Sequence, residues 1–347
     1  MAASRDELLE SIAEQIADYR EGEVPRPTPD HVERWIGQFP DDVQDAMLAE
    51  LHHVFNKTYF SRKNFDSFLR SLAKNKKFAG DDPASFWSNA HLLDVQQGGS
   101  SQREMLAMFR EVIKQEYGAD GDGDGPYVYI DDAIFSGTRV KCDLTDWIRQ
   151  HAPAKAEVRV VVAALHTGGR YYATTELNKA IQETGKQIEI GWWSCISPEN
   201  RRNCCYSSDV LWPTVIPDDE KVAAYVEYLN TQGYPPVLRN AGSIGTTEFF
   251  SSDKQRILLE QQFLIAGARI REMATNMPPS LRPLGFTGLR TLGFGSVIVT
   301  FRNCPNTCPL PFWAGDPWYP LFPRSTNTDA FIKKMIASIR RRQTGKA

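Results

Sequence analysis

The sequence predicts an α/β fold: a parallel sheet flanked by helices, with an all-helical N-terminal extension and an irregular C-terminal region. Three observations predict it. Residues 1–80 carry apolar side chains at helical spacing almost throughout. From His91 onward, short apolar runs alternate with amphipathic segments, the pattern of strands joined by crossover helices. After Trp192, aromatic, proline and glycine residues interrupt both periods. The expected boundaries are 1–80 for the extension, 81–191 for the α/β core, and 192–347 for a region that completes the core and ends in a basic tail.

In chain order, Ser4 is placed to cap a first helix with Leu8, Leu9, Ile12, Ile16 and Ala17 on one face. Pro25 to Pro29 break that pattern, and a second helix begins near Asp30 with Val32, Trp35 and Ile36. A third carries Val43, Met47, Leu48, Leu51 and Val54, and a fourth Phe65, Phe68, Leu69 and Leu72. These stripes read as core rather than as a binding surface. Strands are expected at Ala90–Val95, Tyr127–Ile130, Val158–Ala164 and Gln187–Ile190. Helices are expected at Gln102–Tyr117, Gly137–Gln150 and Tyr171–Glu183. Further on, a long helix covers Asp253–Met273 and a strand Ser296–Phe301. Parallel strands bring their carboxyl ends to one edge, where ligands of such sheets bind. Asp131, the Gly98–Ser101 loop and the His166–Gly169 loop all fall at that edge.

Composition narrows the function classes. The 347 residues are 41% hydrophobic and 24% charged, as in a soluble globular protein. A net charge of −3 offers no basic surplus for non-specific nucleic-acid binding, and the cluster Arg340, Arg341, Arg342 and Lys346 reads as a solvated tail. No apolar run approaches the roughly 20 residues that span a bilayer. Met1 to Glu10 lack the apolar core of a signal peptide, so a cytoplasmic protein with no membrane partner is expected. The six cysteines fit reduced thiols. Cys204, Cys205, Cys304 and Cys308 lack zinc-site spacing and a nearby histidine, so no protein-built metal site is expected. The run Gly118–Gly125 lacks the terminal glutamate of a calcium loop and reads as a flexible connection.

The segment 127–140 carries the chemistry. An apolar run, Tyr127 to Ile130, ends in Asp131 and Asp132; Ser136, Gly137 and Thr138 follow, and then an amphipathic helix. A small, hydroxyl-rich turn at a helix N-terminus offers backbone N–H groups to an anion, and the helix dipole favours negative charge there. Carboxylates just upstream suit vicinal hydroxyls, as they do for ribose in dinucleotide sites. An ordinary strand-turn-helix joint with solvent-facing aspartates has the same local sequence, and that alternative stays open.

This segment resembles the signature of type I phosphoribosyltransferases, two acidic residues followed by a Thr/Ser-Gly phosphate loop. The resemblance implies that Asp131 and Asp132 are the catalytic pair holding the ribose hydroxyls. It implies that Ser136, Gly137, Thr138 and Arg139 wrap the 5′-phosphate. Arg139 stands where the usual loop has a second Thr or Ser. Arginine binds phosphate bidentately, so the chemistry is retained and its geometry left open. Three further segments, Val32–Phe39, His91–Gln102 and Phe301–Trp313, extend the resemblance to PRTase-CE, the phosphoribosyltransferase-like effector family of bacterial conflict systems. It spans about residues 30–315. Cys308 stands where the family commonly has Leu, Arg302 where it often has His, and one Asn where it has two.

What the resemblance implies is a type I phosphoribosyltransferase-like core with residues 192–320 as a hood over the base. The substrate would be phosphoribosyl pyrophosphate or a nucleotide, and the reaction phosphoribosyl transfer or N-glycosidic cleavage through an oxocarbenium-like transition state. The cofactor would be Mg²⁺, held mainly by substrate phosphates and water. The setting would be anti-phage defence, beside a partner such as a retron reverse transcriptase with its noncoding DNA–RNA. Gly98, Gly99, Ser100 and Ser101 either present N–H groups to pyrophosphate or form a plain turn in which Ser101 caps the next helix. His166 is either a substrate contact or a core residue. Arg302, Asn303 and Asn306 either touch ligand or satisfy a proline-rich turn. Two rivals remain: a catalytically inert sensor of phosphoribosyl pyrophosphate or nucleotide, and a scaffold acting through its helical N-terminus. Acceptor, nucleobase and oligomeric state are not legible.

Overall fold

A computed structural model describes residues 3–96, 101–274, 277–289 and 291–324. In chain order the N-terminal helices are α1 (Arg5–Gln15), α2 (Pro29–Ile36) and α3 (Asp41–Thr58), followed by the short β1 (Tyr59–Phe60). Then come α4 (Arg62–Ala73), α5 (Lys76–Ala79) and α6 (Pro83–Asn89). The α/β segment is β2 (His91–Leu92), α7 (Ser101–Tyr117), β3 (Tyr127–Ile134), α8 (Thr138–Gln150), β4 (Lys155–Leu165), α9 (Thr167–Thr184) and β5 (Gln187–Ile196). After it lie α10 (Glu220–Thr231), α11 (Asp253–Met273), β6 (Leu281–Arg282), β7 (Gly285–Phe286), β8 (Val299–Thr300) and α12 (Leu310–Trp313). No described helix is long and apolar enough to cross a membrane.

Local chemistry sets the helix starts. Ser4 and Glu7 form a capping box on α1, each side chain accepting the other's backbone N–H. Thr28, Ser61 and Ser252 cap α2, α4 and α11 with their hydroxyl oxygens. Pro29 occupies the first position of α2, where no N–H is needed.

The described residues fall into two compact units, one from residues 3–59, 210–244 and 248–324, the other from 60–209 and 245–247. The first is helical with an aromatic centre: Phe263 meets Phe312 at 4.9 Å and Trp35 meets Phe39 at 5.1 Å between ring centroids. The Trp35 indole N–H donates to the Pro311 carbonyl, so its one polar atom is satisfied in the core. The expected strand at Ser296–Phe301 shrinks to β8. Thr300 and Asn303 exchange backbone hydrogen bonds and turn the chain, while the Ser296 N–H goes to Thr307.

The second unit carries a four-stranded sheet in the order β2-β3-β4-β5, parallel throughout. Helices α8 and α9 cover the face that bears Tyr129, Val158, Val160, Val162 and Ile188. On the opposite face Trp193 meets Phe78, Phe78 stacks on Trp87, and Trp87 meets Phe109 of α7. The expected α/β layering, parallel strands with helices on both faces, is therefore present. One boundary differs with consequence. β3 does not end at Ile130 but continues through both aspartates to Ile134. Aspartate is poor in strands, which is why the sequence suggests an end there. The longer β4 supplies partners that override this, pairing Asp131 with Val162, Ala133 with Ala164 and Ile134 with Leu165.

Candidate functional site

Strand alternation separates the two carboxylates. Successive residues of a strand point to opposite faces. Asp131 shares the α8/α9 face with Tyr129, and Asp132 faces the other way. Both are buried, at 6% and 5% exposure. Each accepts the N–H of the residue after it, Asp132 N–H at 2.9 Å and Ala133 N–H at 2.8 Å. Solvent-facing aspartates are thereby ruled out.

Around Asp131 stand three polar residues that the sequence did not single out. The Tyr129 hydroxyl donates to Asp143 of α8 at 3.0 Å and lies 3.5 Å from an Asp131 oxygen. Burial, and then the charges of Asp131 and Asp143, hold the phenol proton on far above its ordinary range, so Tyr129 stays a donor to these carboxylates. The Gln96 side chain donates to Asp131 at 3.4 Å. Gln96 and Gln102 also exchange side-chain-to-backbone bonds, tying the segment after β2 to the start of α7. Tyr129 and Asp143 are 14 residues apart, a spacing with no local signal. A cavity of about 580 Å³ opens on the Asp143 side, lined by Gln96, Arg103, Asp143, Asp146 and Trp147 among others.

The turn after β3 is built on glycine. Gly137 is left-handed, with φ 79°, and a Cβ on it would enter the Gly169 carbonyl; a Cβ on Gly169 would enter the Phe135 carbonyl. Two glycines thus let the turns before α8 and in α9 pack backbone to backbone. As N-cap of α8, Gly137 offers no side-chain oxygen to the first-turn N–H groups. Ser136 and Thr138 bond weakly to each other, at 3.2 Å between hydroxyls and 3.4 Å from the Thr138 N–H. Ser136, Thr138 and Arg139 are exposed. The neighbouring α9 is different. Its first N–H groups are taken by the Pro198 carbonyl at 2.9 Å and the Asn200 side chain at 2.8 Å. Thr167 donates to Glu199, which Arg201 also grips. Neither N-cap residue supplies a side-chain acceptor; α9 receives one from Asn200 at 2.8 Å, and α8 has the weaker Ser136 hydroxyl at 3.4 Å.

His166 resolves to a core residue. It is fully buried, its Nδ1 donates to Ile134 O at 3.0 Å, and burial lowers its pKa to about 4 against the opposing pull of that bond and of Asp209. The unfolded chain binds this proton near pH 6.5 and the folded one does not, so stability falls as pH drops from about 6.5 towards 4. The expected loss attributable to His166 is on the order of 3 kcal/mol. Urea unfolding at stepped pH checks this, and His166→Gln should flatten that part of the profile.

Other expected contacts have structural occupations. Arg302 pairs with Glu23 at 2.8 Å, and the Asn306 carbonyl accepts the Phe286 N–H. Gly98, Gly99 and Ser100 lie outside the described residues, as do the Ser101 side chain and the basic tail. Among the described residues, no group of three or more His, Cys, Asp or Glu has metal-holding geometry. A family model described as PRTase-CE matches residues 32–324. No curated protein and no solved structure matches the chain.

Proposed function

The chain belongs to the PRTase-CE family of phosphoribosyltransferase-like effectors, and from that premise we propose that it is an enzyme acting on phosphoribosyl pyrophosphate or a nucleotide. The observation that carries the reading is the start of α8, whose N-cap is a glycine with no side chain to offer and which follows the buried aspartate pair after one short turn. The N–H groups there, the Ser136 and Thr138 hydroxyls and the Arg139 guanidinium take the 5′-phosphate. Asp131 and Asp132 accept ribose hydroxyls and, as anions, favour the positive charge that develops on the ribose when the N- or pyrophosphate-glycosidic bond breaks. Tyr129, Asp143 and Gln96 orient Asp131. To the segment Gly98–Ser101 we assign the pyrophosphate.

Mg²⁺ supplies charge neutralisation on the leaving pyrophosphate when bound. Because Asp131 and Asp132 leave the strand on opposite faces, they do not chelate one ion together. The residues fit an ion held mostly by substrate oxygens and water, as Mg²⁺ prefers. The proposed setting is the bacterial cytoplasm, in anti-phage defence beside a partner such as a retron reverse transcriptase with its noncoding DNA–RNA. A second reading, an inert sensor of the same ligands, draws on Arg139, an exposed full charge where the usual loop has a hydroxyl.

Calorimetric titration of phosphoribosyl pyrophosphate with Mg²⁺ tests the site. Binding to wild type that weakens at least about 100-fold in Asp131→Asn/Asp132→Asn is expected from losing charge-assisted bonds to the ribose. Unchanged binding in that variant sinks the assignment. Saturable binding without any product by mass spectrometry, with partners present, selects the sensor.

A further inference from the structure

The first unit treats its buried arginines in two ways. Arg239 and Arg256 are compensated: Glu260 accepts from both, at 2.9 and 2.8 Å, and Asp253 takes Arg239 at 2.9 Å. Arg282 on β6 is not. It is 7% exposed, one Nη donates to the Thr291 carbonyl, and its Nε is buried with no hydrogen-bond partner. No described carboxylate forms an ion pair with it. Beside it on α10, Tyr225 is 8% exposed and its hydroxyl is likewise buried and unpartnered. Arg271, in the last turn of α11, stacks 5.2 Å from the Tyr225 ring centroid and also has no described acid as partner.

Arg271 and Tyr225 are in contact with each other and both lie near enough to Arg282 to act on its charge, and no described acid forms an ion pair with either guanidinium. Burying a guanidinium unpaired is costly, and an anion bound there offsets that cost. Burial is the main cause that lowers the pKa of Arg282, and the like charge of Arg271 lowers it further. We propose that Arg282, Arg271 and Tyr225 form an anion-binding site for a phosphate group, separate from the α8 turn. The chemistry selects phosphate over carboxylate. Two cations match a dianion, the planar guanidinium grips two phosphate oxygens, and the phenol O–H donates to a third. A carboxylate leaves one cation unmatched.

The test uses the full chain carrying Thr138→Ala, so that the α8 turn is weakened independently. Calorimetry with inorganic phosphate, at ionic strength held constant with chloride, should show one saturable site. Arg282→Gln keeps a donor for Thr291 and should abolish that site without lowering the melting temperature in phosphate-free buffer. Tyr225→Phe keeps the stacking with Arg271 and should weaken binding about tenfold. Ribose 5-phosphate binding more tightly than phosphate assigns the site to a monoester, and equal binding assigns it to the free ion. No saturable binding, equal binding in Arg282→Gln, or acetate binding as well as phosphate overturns the proposal.

Discussion

Glu260→Gln should destabilise the protein by about 3–5 kcal/mol, the usual loss when one partner of a buried ionic network is removed. Four N–H groups converge on this carboxylate: two from Arg239, one from Arg256 and the Trp212 backbone N–H. Burial raises the Glu260 pKa, and the two guanidiniums and the Trp212 N–H pull it back down, so the carboxylate depends on these partners for its charge. Glutamine keeps the shape but turns an N–H₂ towards a guanidinium and leaves the pair of cations with only Asp253. Typical domains have about 5–15 kcal/mol in total, so the variant should unfold at clearly lower urea. Removing both sides with Arg256→Leu/Glu260→Leu should cost less than the single change, because it deletes a buried charge along with its partner. A single-variant loss below about 1 kcal/mol would show that the network contributes little.

Gly137→Ala should be the most damaging change at the candidate site. Alanine in the left-handed region costs roughly 1–2 kcal/mol, and its Cβ would also collide with the Gly169 carbonyl. The turn and the start of α9 would have to separate, for a combined loss of about 2–4 kcal/mol. Gly233→Ala is the matched control: its φ is 72°, and a Cβ there meets nothing within 4 Å. It should show the backbone cost alone. Equal losses in the two variants would mean that the Gly137–Gly169 approach is not tight. Phosphoribosyl pyrophosphate binding should fall with Gly137→Ala and stay unchanged with Gly233→Ala.

What was legible in the sequence follows from how local its causes are. The cap of α1 could be read because Ser4 acts within three residues of itself; the caps Thr28 and Ser252 are equally local but are not among those expected from the sequence. The valine-rich β4 could be read because its alternation is internal. The extent of β3 could not, since Asp131 and Asp132 argue for an end and only the paired β4 says otherwise. Ending that strand early also hid the opposite orientation of the two carboxylates. Asp143 reaches Tyr129, and Asn200 caps Gly168 from 32 residues away, through the sheet rather than along the chain. Likewise, the first unit joins residues 3–59 to the stretch from 248 onward, which no local pattern announces.

The opposite orientation of Asp131 and Asp132 has a consequence for how this site tolerates inheritance. Two adjacent acids look like a duplicated part, in which one copy insures the other. Here the two side chains leave the strand on opposite faces, so each would reach a shared ribose from its own side. A lineage that loses either one keeps a neighbour that cannot take its place. In the proposed site the pair is two single points of failure rather than a part and its spare.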